Sequence, residues 1–455
     1  MRSFGRGLAA TAVLAALIAG GIGLQRAGPR AEPAAPPGSA SSGWSVCPHG
    51  GGRGWTTTVF LANPGTSQAT VRLTALGPRA PKPLLSRIVP AGTVSGVRVP
   101  SVQRDAATVV EWFGSRVVAG WTARAGGDDS GVAAESCGEA GPTWFAPDGS
   151  TVRGEHTFLV VANPSAATAV FSVALFTNDL PPIRRSNWTN IELPGLRSTV
   201  LDVDRQAPNE AAVSAEVDVS SGRVAVSSLG VSDAGGVRSA AATPSLSDRA
   251  ILPVAAGAGQ SEIVVAVPGG SDVRFGATLI SQRPPQAAGS LGAVTQRGRS
   301  AKSYPVITNG ASSVDLLTQG AAPVAAALRS RGAIDSAATG GTFEPASTWV
   351  VLPTVVGAVV HPGVVLVNPG ARPANVLLHL LGAPGDQLPP DIAMTVAANS
   401  AALVPASFLH PIPRAAVLVR ATGGEIVALG ASTSLGPRGL DGYALALGVP
   451  IPGSG

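Results

Sequence analysis

The chain has few charged and few aromatic residues for its length. Asp, Glu, Lys and Arg make up 13% of its 455 residues, and Phe, Trp and Tyr make up 4%, whereas charged residues alone account for about 25% of an average soluble protein. Lysine occurs only at Lys82 and Lys302, so the formal net charge of +5 comes almost wholly from arginine. Such a charge, spread over this length, is weak support for a polyanionic partner. Nucleic acid is not expected as a partner, because no basic stretch is interleaved with aromatic residues.

Histidine is also scarce, and its distribution argues against catalysis. No histidine has the spacing of a metal ligand, and no serine lies in the turn motif of an activated nucleophile with a base nearby. The five histidines are scattered along the chain: His49, His156, His361, His379 and His410. We therefore expect no metal ion, no cofactor and no enzymatic activity.

Long apolar runs are missing except at the amino terminus. Arg2 and Arg6 precede an uncharged run at 8–24, which is at the short end for a helix that crosses a bilayer. Because the cleavage sites after this run are poor, we expect residues 1–24 to be an uncleaved membrane anchor with its positive end inside; a cleaved signal peptide is the alternative. Residues 25–43, rich in Pro, Ala, Gly and Ser, are predicted to be a flexible linker. In either case the bulk of the chain is expected outside the cytoplasm.

Glycine, proline and valine are abundant, and they recur in a pattern. With 57 Gly and 39 Pro and no collagen-like period, the composition predicts many short strands and turns. An apolar run that stops at a proline occurs four times, and in three of the copies Asn precedes the proline. The four prolines are Pro64, Pro164, Pro268 and Pro369. Three further landmarks keep the same order around each of them, which indicates a fourfold internal repeat.

Each repeat has the pattern of a β-sandwich. The segment after each proline alternates apolar and polar residues, as in Ala69, Val71 and Leu73 against Thr70 and Arg72, which predicts a strand with one buried face. We therefore predict an all-β fold of four tandem immunoglobulin-like β-sandwich modules of about 100 residues, at 44–140, 141–247, 248–346 and 347–455. A closed, propeller-like ring of four sheets is the alternative, although units of this length are long for blades.

These motifs carry a family resemblance. The short N-terminal anchor, the Cys47-Pro48 pair, the repeated Asn-Pro turns and the segment from Trp144 to Gly149 resemble an uncharacterised family of exported actinobacterial proteins, classified only as a domain of unknown function. The resemblance implies a membrane-anchored or secreted envelope protein with β repeats, and it brings no catalytic residues.

Cys47 and Cys137 are the only cysteines. Cys47 lies in the opening strand of the first module and Cys137 in the segment that closes it. Because an exported chain meets oxidising conditions, we predict a disulfide between them; two free thiols packed as small apolar side chains are the alternative.

Three functions remain open for the array. The favoured one is a non-catalytic structural or binding role in the cell envelope, with a wall polymer or an envelope protein as partner. The second is an enzyme acting on envelope glycan, which needs two carboxylates across a cleft; the acidic candidates are Asp128 and Asp129, Asp202 and Asp204, and Glu210, Glu216 and Asp218. The third is a polyanion-binding module that uses a basic connection of the third repeat, with Arg283, Arg297, Arg299 and Lys302.

Overall fold

The computed structural model describes residues 41–451, except 128, 256–259, 309, 333–334, 355–360 and 437–438. The predicted anchor at 1–24 and nearly all of the predicted linker lie outside the described residues; Ser41–Gly43, at the end of that linker, belong to the first strand. Almost all regular structure in the described part is β. The exceptions are the short helix α1 (Ala406–Leu409) and two 3-10 turns (Ser186–Trp188 and Gln319–Ala321). No helix in these ranges has the length and apolarity to cross a membrane.

The strands of the first two modules follow the predicted rhythm. Module 1 contains β1 (Ser41–Cys47), β2 (Thr56–Asn63), β3 (Ala69–Leu76), β4 (Lys82–Val89), β5 (Thr93–Val99), β6 (Ala107–Gly114), β7 (Val118–Arg124) and β8 (Val132–Ser136). Module 2 contains β9 (Thr143–Ala146), β10 (Glu155–Asn163), β11 (Ala169–Phe176), β12 (Ile183–Arg184), β13 (Ile191–Leu193), β14 (Arg197–Asp202), β15 (Ser214–Ser221), β16 (Ala225–Ser232) and β17 (Val237–Ala241).

The other two modules repeat this order. Module 3 contains β18 (Arg249–Ala255), β19 (Gln260–Val267), β20 (Val273–Ile280), β21 (Gln286–Ala287), β22 (Val294–Gln296), β23 (Ser300–Ile307), β24 (Ala311–Thr318), β25 (Ala325–Arg331) and β26 (Ser336–Gly340). Module 4 contains β27 (Thr348–Val351), β28 (His361–Asn368), β29 (Ala374–Leu381), β30 (Ile392–Val396), β31 (Ser400–Leu403), β32 (Ala416–Thr422), β33 (Val427–Gly436), β34 (Gly439–Leu447) and β35 (Val449–Pro450).

Each module consists of two antiparallel sheets with the same strand order. In module 1 the first sheet runs β1-β6-β3-β4 and the second runs β5-β2-β7-β8; modules 2, 3 and 4 repeat this pairing. The alternation that predicted β3 is seen directly, since Ala69, Val71 and Leu73 are buried and Thr70 and Arg72 are exposed. The all-β prediction is confirmed.

In modules 1, 2 and 4 the asparagine before the landmark proline bonds two backbone carbonyls of its own module. Asn63 ends β2, and its Nδ2 donates to the carbonyls of Ser67 (2.8 Å) and Val89 (3.0 Å). Asn163 and Asn368 make the same pair of bonds in modules 2 and 4. Module 3 has Val267 instead, and there the buried Gln296 donates from Nε2 to the Val265 carbonyl at 2.9 Å. In module 3 a side chain from the opposite direction, Gln296 at the end of β22, therefore bonds a backbone carbonyl near the end of β19, and a buried carbonyl requires such a partner.

The four modules form a closed ring. The first sheet of each module packs against the second sheet of the next, and the second sheet of module 1 packs on the first sheet of module 4, where Phe60 and Val94 meet Val350 and Leu418. One backbone bond recurs at every junction, from the second sheet's edge strand to a loop carbonyl of the neighbouring module. These bonds are Val94 to Gly382 (2.9 Å), Ser198 to Gly77 (3.1 Å), Ala301 to Thr177 (3.1 Å) and Ala401 to Ser281 (3.2 Å). The modules have the two sheets that the sequence predicted. Closure of the four modules into a ring was a feature of the alternative, propeller-like architecture.

The last strands of the second sheets meet at the centre of the ring. These inner strands are β8, β17, β26 and β34, and each contacts its neighbours on both sides. Their side chains are small where they face one another, as with Val132 and Ala134 against Ala444 and Ala446. Close approach of four strands is possible only with such small residues.

Cys47 and Cys137 form the predicted disulfide, with their Cα atoms 4.5 Å apart. The bridge joins the end of β1 to the residue after β8, and so ties the beginning of module 1 to its end. Both cysteines are buried.

Removal of this bridge should destabilise the chain. It closes a loop with a sequence separation of 90, for which the chain-entropy model gives about 4.6 kcal/mol as an upper figure. We expect Cys47→Ala/Cys137→Ala to lower the free energy of unfolding by up to this amount. Thiol titration of the denatured, unreduced protein should find no free sulfhydryl, and two free thiols per chain would contradict the bridge.

Candidate functional site

The structure separates the four basic residues predicted to act together. Arg283 follows β20, near the end of that strand where Leu279 pairs with Gln286 of β21. Arg297 follows β22, whose last residue pairs with Val273 at the other end of β20. The six residues between these pairs correspond to about 20 Å of strand. Arg297, Arg299 and Lys302 stay close in sequence and are exposed. Arg297 donates to the Asn178 carbonyl of module 2 at 3.2 Å, and the Lys302 Nζ lies 5.5 Å from the ring centroid of Tyr304 in the same strand.

The acidic residues proposed for glycan hydrolysis have structural partners. Asp129 accepts hydrogen bonds from Trp55 Nε1 and Arg104, both at 2.8 Å, and Asp202 pairs with Arg205 at 2.9 Å. Asp128 lies outside the described residues. Asp204 holds His156 at 2.6 Å, and Asp233 approaches the other ring nitrogen at 3.0 Å. Burial opposes protonation of His156, but hydrogen bonds to the two carboxylates outweigh it and raise the pKa of the imidazole.

The third acidic set lies on or near β15 of module 2. Glu216 is half-buried and Asp218 is exposed, and Glu210 precedes the strand. Burial raises the pKa of both Glu210 and Glu216. Among the described residues, the five best-formed grooves each contain at most one carboxylate, and none contains Glu210, Glu216 or Asp218.

A groove of about 650 Å³ lies where module 4 closes on module 1. We call it the closure groove and define it by four arginines that line it: Arg87, Arg98 and Arg124 of module 1 and Arg414 of module 4. All four are exposed. None forms an ion pair within the described ranges. Sequence reasoning missed this set because its members come from the two ends of the chain.

A single carboxylate lies on the axis of the ring. Asp335 precedes β26, and its Oδ2 accepts the backbone N–H groups of Val132 (2.9 Å) and Tyr443 (2.8 Å), while Oδ1 accepts those of Val237 (3.0 Å) and Ser336 (2.8 Å). These donors belong to modules 1, 4, 2 and 3. The Asp335 carboxylate therefore accepts hydrogen bonds from all four inner strands. Burial raises its pKa to about 7, although the four donors favour the carboxylate.

The residues that match Asp335 in the other modules are Gly131, Gly236 and Gly442. A Cβ at Gly131 would lie 2.6 Å from Oδ1 of Asp335, and one at Gly236 would lie 3.3 Å from it. Gly131 and Gly236 also have positive φ values of 116° and 118°, a conformation open to glycine. Glycine at 131 and 236 therefore leaves room for the Asp335 side chain, whereas a Cβ at Gly442 would instead meet Ser434 at 2.6 Å and Val132 at 2.9 Å.

A buried ion network joins modules 2 and 3. Asp148 accepts hydrogen bonds from Arg238 Nε at 3.2 Å and from Arg329 Nη2 at 2.7 Å. Glu155 pairs with Arg238 at 2.7 Å and Glu262 with Arg329 at 3.4 Å. The side chains of Asp148, Arg238 and Arg329 are each 1% exposed. Burial alone would raise the pKa of Asp148, but the two guanidinium groups outweigh it and lower that pKa.

The chain matches a known protein family. A model of a family of unknown function, DUF5719, matches residues 106–358, which is more than half of the chain. The chain belongs to the DUF5719 family. No curated protein matches it. The resemblance to a domain of unknown function is confirmed at this level, and the DUF5719 family supplies no activity.

The DUF5719 match contains the Asp148 network and the axial Asp335. It also contains Glu135 of β8, whose Oε2 accepts hydrogen bonds from the hydroxyls of Ser227 (2.7 Å) and Ser239 in module 2. Glu135 lines a small pocket of about 200 Å³ formed by the carboxyl ends of the inner strands. Burial raises its pKa from 4.5 to about 7, against the two hydroxyl donors.

Glu135→Gln should stabilise the protein at pH 8 and leave it nearly unchanged at pH 4.5. Between pH 4.5 and about 7 the folded protein holds a proton on Glu135 that the unfolded chain releases. The contribution of this group to stability is therefore greatest below pH 4.5 and is lost as the pH rises through 7. Glutamine resembles the protonated form at every pH, so we expect a gain of about 1–3 kcal/mol at pH 8.

Chemical denaturation of both proteins across this pH range measures the difference. A constant difference between wild type and Glu135→Gln at pH 4.5, 6 and 8 would show that Glu135 does not titrate near neutrality. His49, whose pKa burial lowers to about 4, contributes with the opposite sign, and the comparison of variant with wild type cancels it.

Proposed function

We propose that this DUF5719 protein is a non-catalytic, exported protein of the cell envelope, whose closed ring serves as a rigid binding scaffold. The observation that carries the proposal is that the buried carboxylates at the module junctions bind other groups of the protein itself. Asp335 and Asp148 connect modules, and five grooves lined by described residues each contain at most one carboxylate. Glycan hydrolysis needs such a pair about 5–10 Å apart.

Export is supported by two independent features. The disulfide between Cys47 and Cys137 belongs to an oxidising compartment, and the apolar run at 8–24 follows two arginines. The proposal includes retention of residues 1–24 as a single-pass anchor, with the ring outside the membrane, and an actinobacterial origin for this exported type of protein. The partner class is a wall polymer or another envelope protein.

Location can be tested in the organism that makes the protein. We expect the chain in the membrane fraction, digestible by protease added to intact, wall-stripped cells, with Cys47 and Cys137 oxidised. Mass spectrometry of the native protein should find a peptide from residues 1–24; a mature N-terminus after residue 19 would remove the anchor and keep export. A cytoplasmic chain with two free thiols would overturn the proposal.

The rival enzyme function can be tested on the purified protein. Incubation with peptidoglycan and other wall glycans should release no soluble product. Turnover that disappears in Asp129→Ala, with the fold retained by circular dichroism, would replace the scaffold with a glycan-active enzyme. Asp391→Ala is the matched control, because Asp391 has only an exposed partner, His379.

A further inference from the structure

The lining of the closure groove has an excess of positive charge that no ion pair within the described residues neutralises. Its four arginines face a single lining acid, Asp386, whose Oδ2 accepts the Ala383 N–H at 2.7 Å. Arg87 donates to the Ser95 hydroxyl at 2.6 Å and has no carboxylate partner within the described residues. The buried Arg329, in contrast, pairs with both Asp148 and Glu262. The closure groove therefore has four arginines and one acid in its lining, and none of the four arginines forms an ion pair within the described residues.

Strand register fixes the spacing of two of these charges. Arg98 lies opposite Thr58 and Arg124 opposite Thr56, so both side chains leave the same face of the sheet, with β2 between them. Two strand spacings across and two residues along give about 12 Å between their Cα atoms. The four arginines that line the groove carry more positive charge than a single phosphate or carboxylate ion neutralises. The arrangement fits a ligand that repeats its negative charge.

The groove depends on ring closure. Arg98 and Arg124 come from module 1, and Arg414 comes from the segment after α1 of module 4, across the junction made by the Val94–Gly382 backbone bond. A concave site between two modules admits a chain more readily than a flat membrane. Phe60 is the aromatic residue in the lining and is only 4% exposed, so the groove has no platform on which a base could stack.

We propose that the closure groove binds an extended, phosphate-bearing polymer, a conclusion that rests on the proposed function as an exported binding scaffold. Guanidinium groups bind phosphate by two parallel hydrogen bonds and keep their charge at any accessible pH. Arginines from both sides of the groove grip successive phosphates, and the excess of charge steers the polymer into it. The basic residues Arg297, Arg299 and Lys302 line none of the five best-formed grooves in the described residues and do not form this site.

The test uses the full chain purified in detergent and a linear inorganic polyphosphate of several tens of units as the probe. The groove variant is Arg98→Gln/Arg124→Gln/Arg414→Gln, and the control is Arg297→Gln/Arg299→Gln/Lys302→Gln. Each removes three positive charges from exposed positions, so a purely non-specific attraction weakens equally in both. We expect wild type and control to bind alike and the groove variant to bind at least about tenfold more weakly, with a smaller dependence on salt.

Further arms identify the ligand chemistry. Orthophosphate at the same phosphate concentration should not compete, and vesicles containing phosphatidylglycerol should compete less well than polyphosphate. Equal loss in both variants, no loss in the groove variant, or preference for vesicles would overturn the proposal. Unchanged thermal unfolding of both variants confirms that the fold is intact. Failure here leaves the location and disulfide tests of the scaffold unaffected, so the two proposals fail separately.

Discussion

Asp148→Ala should lower the free energy of unfolding by about 3–5 kcal/mol, the cost of leaving a buried charge without its partner. Asp148 is the only side chain that contacts both Arg238 and Arg329 within the described residues. Its removal leaves two guanidinium groups that are 1% exposed with only Glu155 and Glu262 as acidic partners. Urea denaturation at pH 7, followed by tryptophan fluorescence, measures the change.

A double-mutant cycle separates the network from a general effect of the substitution. In Arg329→Met the second guanidinium is absent, so adding Asp148→Ala should cost clearly less than it does in the wild type. Asp391→Ala, which removes an exposed pair with His379, should change stability by less than about 1 kcal/mol. Additive effects of Asp148→Ala and Arg329→Met would mean that the two residues do not act together.

Asp335→Ala should destabilise the ring by at least about 3 kcal/mol, because three buried backbone N–H groups and a fourth, part-buried one lose their acceptor and each buried unpaired donor costs about 1–3 kcal/mol. Asp335→Asn should be nearly as harmful at pH 8, because its amide nitrogen would replace an oxygen that accepts two of these N–H groups. Thermal unfolding of the two variants measures both effects.

Asp315→Ala is the matched control for the axial residue. Asp315 also belongs to module 3, but its partner Arg249 is one-third exposed and holds it by two hydrogen bonds, so the loss should be smaller, about 1–2 kcal/mol. If Asp335→Asn were as stable as the wild type, the four donors would have to be satisfied in another way, and Asp335 would not hold the inner strands together.

Local features of the sequence were enough to predict the modules. The alternation after Pro64 and its three counterparts predicted β3, β11, β20 and β29. The run at 59–62 is apolar throughout, which is typical of a strand covered on both faces. In the structure the second cover is the neighbouring module, with Val350 and Leu418 packed on β2. Which module supplied that cover could not be read, because the pairing joins the two ends of the chain.

The charged centres could be predicted less well, for physical reasons. Arg238 and Arg329 each lie in a strand of small and apolar residues, which indicates a buried charge but does not identify its partner. Asp335 could have been found, since the repeat aligns it with three glycines, but only knowledge of the axis explains why one side chain fits there. Arg98 and Arg414 resemble ordinary surface residues until ring closure brings them to one groove.

Small-angle X-ray scattering tests ring closure most directly. Both the hydrogen bonds of Asp335 to the four inner strands and the closure groove depend on that closure. A closed, compact body of the size of residues 41–453 should have a radius of gyration of about 22 Å. Four 100-residue sandwiches strung end to end, each with about 13 Å, would give about 40 Å. We expect the smaller radius of gyration for the part of the chain that starts at Ser41. A value near the larger one would show that module 4 does not meet module 1.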